Sequence, residues 1–159
     1  MKEIKVKDKE KEITLEVINA LENRKSIKFP KDYTAHLLTH NGGHPITDTY
    51  DFVEGNFINS SDVAWFYALY DGYDENLEKK IDIYNNLGRM PKEFVPIGRD
   101  SCGNQICLCV QGKNYGKVYF WNHEEEADEG KEPTYDNLYL IANSFTDFIN
   151  SLYEFKIPE

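Results

Sequence analysis

Apolar residues along this chain keep two periods, and the change from one to the other separates helical ends from a strand-rich middle. Near the start, Ile13, Val17 and Leu21 recur every four residues with Ile18 beside them. That step predicts a short amphipathic helix over residues 12–23. Phe29, Tyr33 and Leu37 repeat the step, with Leu38 alongside. Pro30 suits the first position of this second helix, where its missing N–H costs nothing, and Asp32 falls in the first turn, where the helix dipole favours an acid. Asn41-Gly42-Gly43 ends it, because glycine takes the left-handed cap conformation cheaply. At the far end Ser144, with Asp147 three residues on, resembles a capping box, and Phe145, Phe148, Ile149 and Leu152 make one helical stripe.

Between these helices the period falls to two. Residues 43–62 are turn-rich, with short strands expected near 50–53 and 56–58. The run VAWFYALY over 63–70 is apolar and aromatic and reads as strand. Residues 71–75 turn through Gly72, and Leu77, Ile81 and Tyr84 mark a further helix stopped by Gly88 and Pro91. A meander follows. After a short strand at 95–97 and a turn through Gly103, Ile106, Leu108 and Val110 alternate with Gln105, Cys107 and Cys109. After a second glycine turn, Val118 and Phe120 alternate with Tyr119 and Trp121. Alternation interrupted by glycine turns is the signature of antiparallel hairpins. Residues 124–134 read as a charged, mobile loop, and 138–142 as the last strand. Strands lying between helical ends favour α+β over alternating α/β. Residues 2–11 are nearly all charged and read as a loose arm or a frayed first turn, which divides the chain into an arm (1–12) and a single domain (13–155).

Charge and composition narrow the function. The chain has 159 residues, enough for one domain with a real core, and 11 Tyr, 9 Phe and 2 Trp to fill it. Its formal net charge is -10. The first twelve residues are close to balanced, so the acid lies in the domain. Such a surface repels phosphate backbones and anionic lipid and favours a basic protein partner. Three cysteines and no signal segment at the start point to a reducing compartment, hence an expected cytoplasmic location.

Candidate chemistry is sparse, and no cofactor motif is present. His36 and His40 lie four apart on one helix face, with His44 beyond, a spacing that zinc can use. However, Leu37 stands where the metalloprotease motif needs Glu, and exposed polar residues on a helix flank are the simpler reading. Cys102, Cys107 and Cys109 have the spacing C-x4-C-x-C, which is not a metal knuckle. Cys107 and Cys109 share a strand face and read as small core residues. Cys102, in a turn, has His123 as the only histidine near it in this region, the minimum for a nucleophile and base. Glu124, Glu125, Glu126, Asp128 and Glu129 offer carboxylates. An open acidic loop lacks the enclosure that separates catalytic pKa values, and serves better to steer a basic partner.

Four motifs in order resemble a known family. Phe29-Pro30-Lys31-Asp32-Tyr33 with Leu37-Leu38 and Asn41-Gly42-Gly43 is similar to the "L-P-x-D-Y … L-L … N-G-G" opening of the SUKH superfamily, the Smi/Knr-like domain. Pro96-Ile97-Gly98-Arg99-Asp100-Ser101-Cys102-Gly103-Asn104 with Ile106 and Leu108 resembles its "I-G-x-D-x-G-G-N-x-I-x-L" meander. Gly116-Lys117-Val118-Tyr119-Phe120-Trp121-Asn122-His123-Glu124 resembles "G-x-V-Y-x-W-D-H-E", and Ala142-Asn143-Ser144-Phe145-Thr146-Asp147-Phe148 resembles "A-x-S-F-x-x-F". Cys102 stands where the family has glycine, and Asn122 where it has Asp. The resemblance implies a curved antiparallel sheet flanked by N- and C-terminal helices, with Pro30, Tyr33, Gly42, Gly43, Gly98, Gly103, Asn104, Trp121, Ser144 and Phe145 as its frame. It also implies a domain that binds protein without catalysis: in bacteria an immunity protein that neutralises a toxin, often a nuclease, and in fungi a cell-wall regulator. Partner contacts are then expected at His123, Glu124, Glu125, Glu126 and Asp128, with Asp71, Tyr73 and Asp74 as a second patch. The alternatives are a regulatory scaffold in cell-wall assembly and, as a third reading, a metal-dependent hydrolase.

Overall fold

All 159 residues are described by the computed structural model. In chain order the elements are β1 (Val6–Lys7), α1 (Leu15–Lys25), α2 (Lys31–Thr39), β2 (His44–Pro45), β3 (Thr49–Glu54), β4 (Phe57–Asp62), β5 (Trp65–Phe66), α3 (Leu77–Ile81), β6 (Phe94–Arg99), β7 (Gln105–Cys109), β8 (Val118–Trp121), β9 (Leu138–Ala142) and α4 (Phe145–Ser151). The chain is α+β, with a five-stranded antiparallel sheet in the order β5-β6-β7-β8-β9. This sheet is open and uncurled. The antiparallel sheet flanked by helices that the resemblance implied is present, with β5 and β9 as its open edges.

Alternation on β7 and β8 puts a core on each face of the sheet. Ile106, Leu108, Val110, Val118 and Phe120 join the main cluster, which α1, α2 and α4 cover with Ile18, Leu21, Tyr33, Leu37, Phe145 and Phe148, and the α1–α2 link with Phe29. Cys107, Cys109 and Trp121 face the other way and pack with Tyr84, Met90 and Phe94. The β3–β4 hairpin lies over the first face, where Phe52 stacks on Phe120 at 4.2 Å. The expected α4 cap is present, with Ser144 accepting from the Asp147 amide.

Several expectations are corrected. The arm is not loose: β1 pairs with β2, the Glu10 amide donates to Asn41 O, the Ile46 amide donates to Lys5 O, and Lys2 Nζ donates to Leu152 O. Charge misled here, because β1 is held by backbone bonds and needs little apolar surface. Pro30 is the N-cap of α2, with extended ψ 147, and the helix starts one residue later. The 63–70 run forms strand only at Trp65–Phe66. Ala68 instead makes an isolated bridge to Asn76, because the chain leaves the sheet to form the 70–76 turn. The α-helical hydrogen bonding expected through Tyr84 gives way after Ile81 to a π-turn over Asp82–Asn86.

The Asn41-Gly42-Gly43 segment does not cap α2 as expected, because the helix ends at Thr39 with His40 as its extended C-cap. Asn41 is buried, and its side chain donates to Lys11 O and Leu69 O and accepts from the Leu69 amide. A Cβ on Gly42 would lie 2.5 Å from Ala68 Cβ, and one on Gly43 would lie 2.4 Å from Lys7 O. Both glycines also have positive φ. Asp32 does more than favour a dipole, since it accepts from the amide and hydroxyl of Thr146 and so fastens α2 to the start of α4.

Gly43→Ala should therefore cost about 2–3 kcal/mol, combining backbone strain with a close contact. Gly112→Ala, at φ 80 with open space around it, should cost about 1 kcal/mol from strain alone. Denaturant unfolding of both variants checks the difference. Equal losses would mean that the close approach to the arm has no weight.

Candidate functional site

One row of the sheet carries the candidate contacts. Trp65 on β5 pairs with Arg99 on β6, Arg99 with Gln105 on β7, Gln105 with Trp121 on β8, and Trp121 with Leu138 on β9. Neighbouring strands lie roughly 4.8 Å apart, so groups anchored on Arg99 and on Trp121 are separated by two strand spacings. Both expected patches grow from this row.

The first patch leaves Trp121. Asn122 caps a short 3-10 turn over His123–Glu125, accepting from the Glu124 amide and donating to Glu125 Oε1 at 2.7 Å. The His123 amide donates to Asn104 Oδ1, and Asn137 Nδ2 donates to Asn122 O. The start of the acidic run is thus ordered, which corrects the expectation of a mobile loop from Glu124 onward. Glu126 accepts two hydrogen bonds from Arg89, at 2.9 and 3.2 Å. The Arg89 guanidinium in turn lies 4.5 Å from the Tyr84 ring centroid and 6.0 Å from that of Trp121. Glu126 is therefore tied into the fold, whereas Glu124, Glu125 and Asp128 are exposed.

Asp100 supports this patch from beneath. It is 1% exposed and accepts from the Cys102 and Asn104 amides, Asn104 Nδ2 and Ser61 Oγ. Four donors satisfy a buried carboxylate, and they fix the turn from which Asn104 reaches His123. The Cys102 thiol is exposed, and no hydrogen bond joins it to His123.

The second patch is held by Arg99. Its guanidinium makes three bonds of 2.8 to 3.1 Å to Glu75, which sits at φ 52. Asn76 Nδ2 donates to Tyr70 O and Gly72 O, and the Tyr70 hydroxyl donates to Asp74 O. These bonds present Asp71, Tyr73 and Asp74 at the surface, with Tyr73 70% exposed. The docked arm brings Asp8 and Glu10 beside them, so that Asp8, Glu10, Trp65, Tyr70, Tyr73 and Asp74 line one concave surface. Asp8 and Glu10 were not expected from sequence. Their only signal was the Gly43 junction that docks the arm.

The His36 and His40 rings lie 5.2 Å apart, but no third ligand joins them. His36 is buried, with its ring against Phe66 at 5.1 Å and Phe145 at 4.8 Å, which corrects the expectation of an exposed helix flank. His44 Nδ1 lies 2.7 Å from Ala64 O. No group of three or more His, Cys, Asp or Glu side chains is placed to hold a metal ion. Burial pushes the Cys107 thiol well above its usual pKa, opposing thiolate chemistry there. No helix is long and apolar enough to cross a membrane.

Fold and surface together define a class: an α+β domain whose polar network orders a surface. The chain matches the model of the SMI1 / KNR4 family (SUKH-1) over residues 12–151, and it belongs to that family. It is also 36% identical over 87 residues to the SPbeta prophage-derived uncharacterized protein YokK of Bacillus subtilis (strain 168). The match covers 55% of this chain, and the chain spans 39% of the length of that relative.

Burial lowers the His36 pKa from 6.5 to about 3, with His40 and Lys9 adding smaller repulsive contributions. The folded state therefore binds fewer protons than the unfolded state between those values, and its stability is complete above pH 6.5 and lost as pH falls toward 3. From pH 7 to pH 5 the loss from this group should be about 2 kcal/mol. Denaturant unfolding at the two pH values should show a smaller drop for His36→Gln than for the wild type. Equal drops would contradict the assignment.

Proposed function

We propose that this chain is an immunity protein that binds and blocks a cognate toxin, without catalysis of its own. The observation that carries the reading is family membership over residues 12–151 in a chain with a net charge of -10. A basic partner, such as a nuclease with a surface built for phosphate, is the electrostatic complement of such a chain. The exposed acids Glu124, Glu125 and Asp128 leave from an ordered turn, which suits steering of an approaching cation. A relative named as prophage-derived is in keeping with a mobile defensive gene. A reducing, cytoplasmic setting for this role agrees with three unpaired cysteines.

The direct test is co-expression with the toxin encoded beside the gene, together with pull-down of the pair. Growth rescue with a stable complex is the expected result. A toxin that stays lethal and unbound would overturn the immunity reading. If the neighbouring genes encode wall synthesis instead, the regulatory scaffold is the role to test. Where rescue occurs, reversing Glu124, Glu125 and Asp128 to Lys should slow association by roughly tenfold and flatten its salt dependence. Unchanged rates would remove this patch from the encounter.

A further inference from the structure

We infer that the concave surface between the docked arm, the 70–75 turn and α3 is a receptor for one arginine side chain of a protein partner. This rests on the protein-binding reading above and adds to it a subsite with its own chemistry. The hollow has a volume of about 550 Å³. Trp65, Tyr70 and Tyr73 give it aromatic walls, and Asp8, Glu10 and Asp74 give it carboxylates. A smaller hollow that shares Asp8, Glu10, Trp65, Tyr70 and Asp74 with it reaches Gly43 and Ala68, so the surface adjoins the glycine junction.

The charges favour a cation. Glu75 is committed to Arg99, but no cation pairs with Asp8, Glu10 or Asp74. Lys79 and Lys80 line the helix side, yet both ammonium groups lie over rings, at 5.5 Å from Tyr73 and 5.3 Å from Tyr67. The Tyr73 ring therefore already receives a cation from within the chain, and a guanidinium from a partner would replace it. Arginine suits the hollow better than lysine. Its planar fork stacks on aromatic faces and can donate two parallel bonds to a carboxylate.

The hollow is ready before binding. The Tyr70 ring packs over Gly72, where a Cβ would come within 2.1 Å of Tyr70 Cε2. The Asn76 and Arg99 bonds described above hold the rest of the turn. Little ordering is left for the partner to impose, which favours binding. The other acid-lined hollow, between Leu87–Arg89 and residues 126–133, is larger at about 830 Å³ but has no aromatic wall. It lacks the surface that would anchor a guanidinium.

The test is an NMR titration of the isotope-labelled full chain with acetyl-Gly-Arg-Gly-amide. The citrulline peptide, of the same shape and without charge, is the control. The arginine peptide should shift the Trp65 indole N–H and the amides of Glu10, Tyr73 and Asp74 saturably, in the millimolar range expected for a single side chain. The citrulline peptide should not, and the buried Trp121 indole should stay still. Tyr73→Ala should weaken the effect by roughly threefold or more, and Asp8→Asn with Asp74→Asn should weaken it further, both with unchanged spectra in the sheet. Unsaturated shifts spread over all acidic loops, or equal shifts with citrulline, would overturn the proposal. Because the protein is titrated alone, the result does not depend on the toxin. Failed growth rescue alongside a saturable titration would sink the immunity role and leave the subsite standing. Intact toxin binding by the Tyr73→Ala and double Asp variants would sink the subsite alone.

Discussion

Three lengths of backbone meet at Asn41-Gly42-Gly43, and the surface of the protein is organised around that crossing. Asn41 bonds Lys11 O on one side and Leu69 on the other. Gly42 lets Ala68 come close, and Gly43 does the same for Lys7. Side chains at either glycine would meet backbone or Cβ atoms, which move only if an element moves with them. The crossing therefore requires glycine for space as well as for φ. Through it the charged arm becomes an edge of the fold, and its acids stand beside the 70–75 turn.

A second set of polar contacts transmits this order along one end of the sheet. Asp100 fixes the turn at 100–104, Asn104 bonds the His123 amide, and Asn137 bonds Asn122. On the neighbouring strands Arg99 holds Glu75. These are buried or half-buried polar groups, and the bonds they make fix the geometry of this end of the sheet because losing one would leave its partner unpaired. Function is then a property of what the network leaves outward. Glu126 is bound to Arg89, while Glu124, Asp128, Asp74 and Tyr73 are exposed.

Periodicity located most of the frame. The alternation of Ile106 and Leu108 against Cys107 and Cys109 maps onto two separate cores, and the stripe of Phe145, Phe148 and Ile149 is wholly buried. Those readings succeed because burial on a sheet face or helix stripe leaves a regular trace in the sequence. The arm was misread because backbone pairing leaves no such trace, and the 63–70 run because its apolar residues serve a turn as well as a strand. His36 was misread because a neutral imidazole among Phe66 and Phe145 looks, in sequence, like any polar residue on a helix. Of the candidate contacts, the acids were legible from charge alone. The aromatic wall at Trp65 and the arrival of Asp8 and Glu10 depend on contacts between segments far apart in the chain.

The central proposal is that one end of the sheet, and not another face, receives a protein partner. The β3–β4 hairpin offers a contrasting surface, since Val53, Phe57 and Ile58 are exposed there at 58%, 73% and 75%. Hydrogen–deuterium exchange of the chain, free and bound to the proposed toxin partner, distinguishes the two. Protection confined to residues 6–10, 70–80 and 122–128 is the result expected. Protection at 53–60 with those segments unchanged would contradict the account.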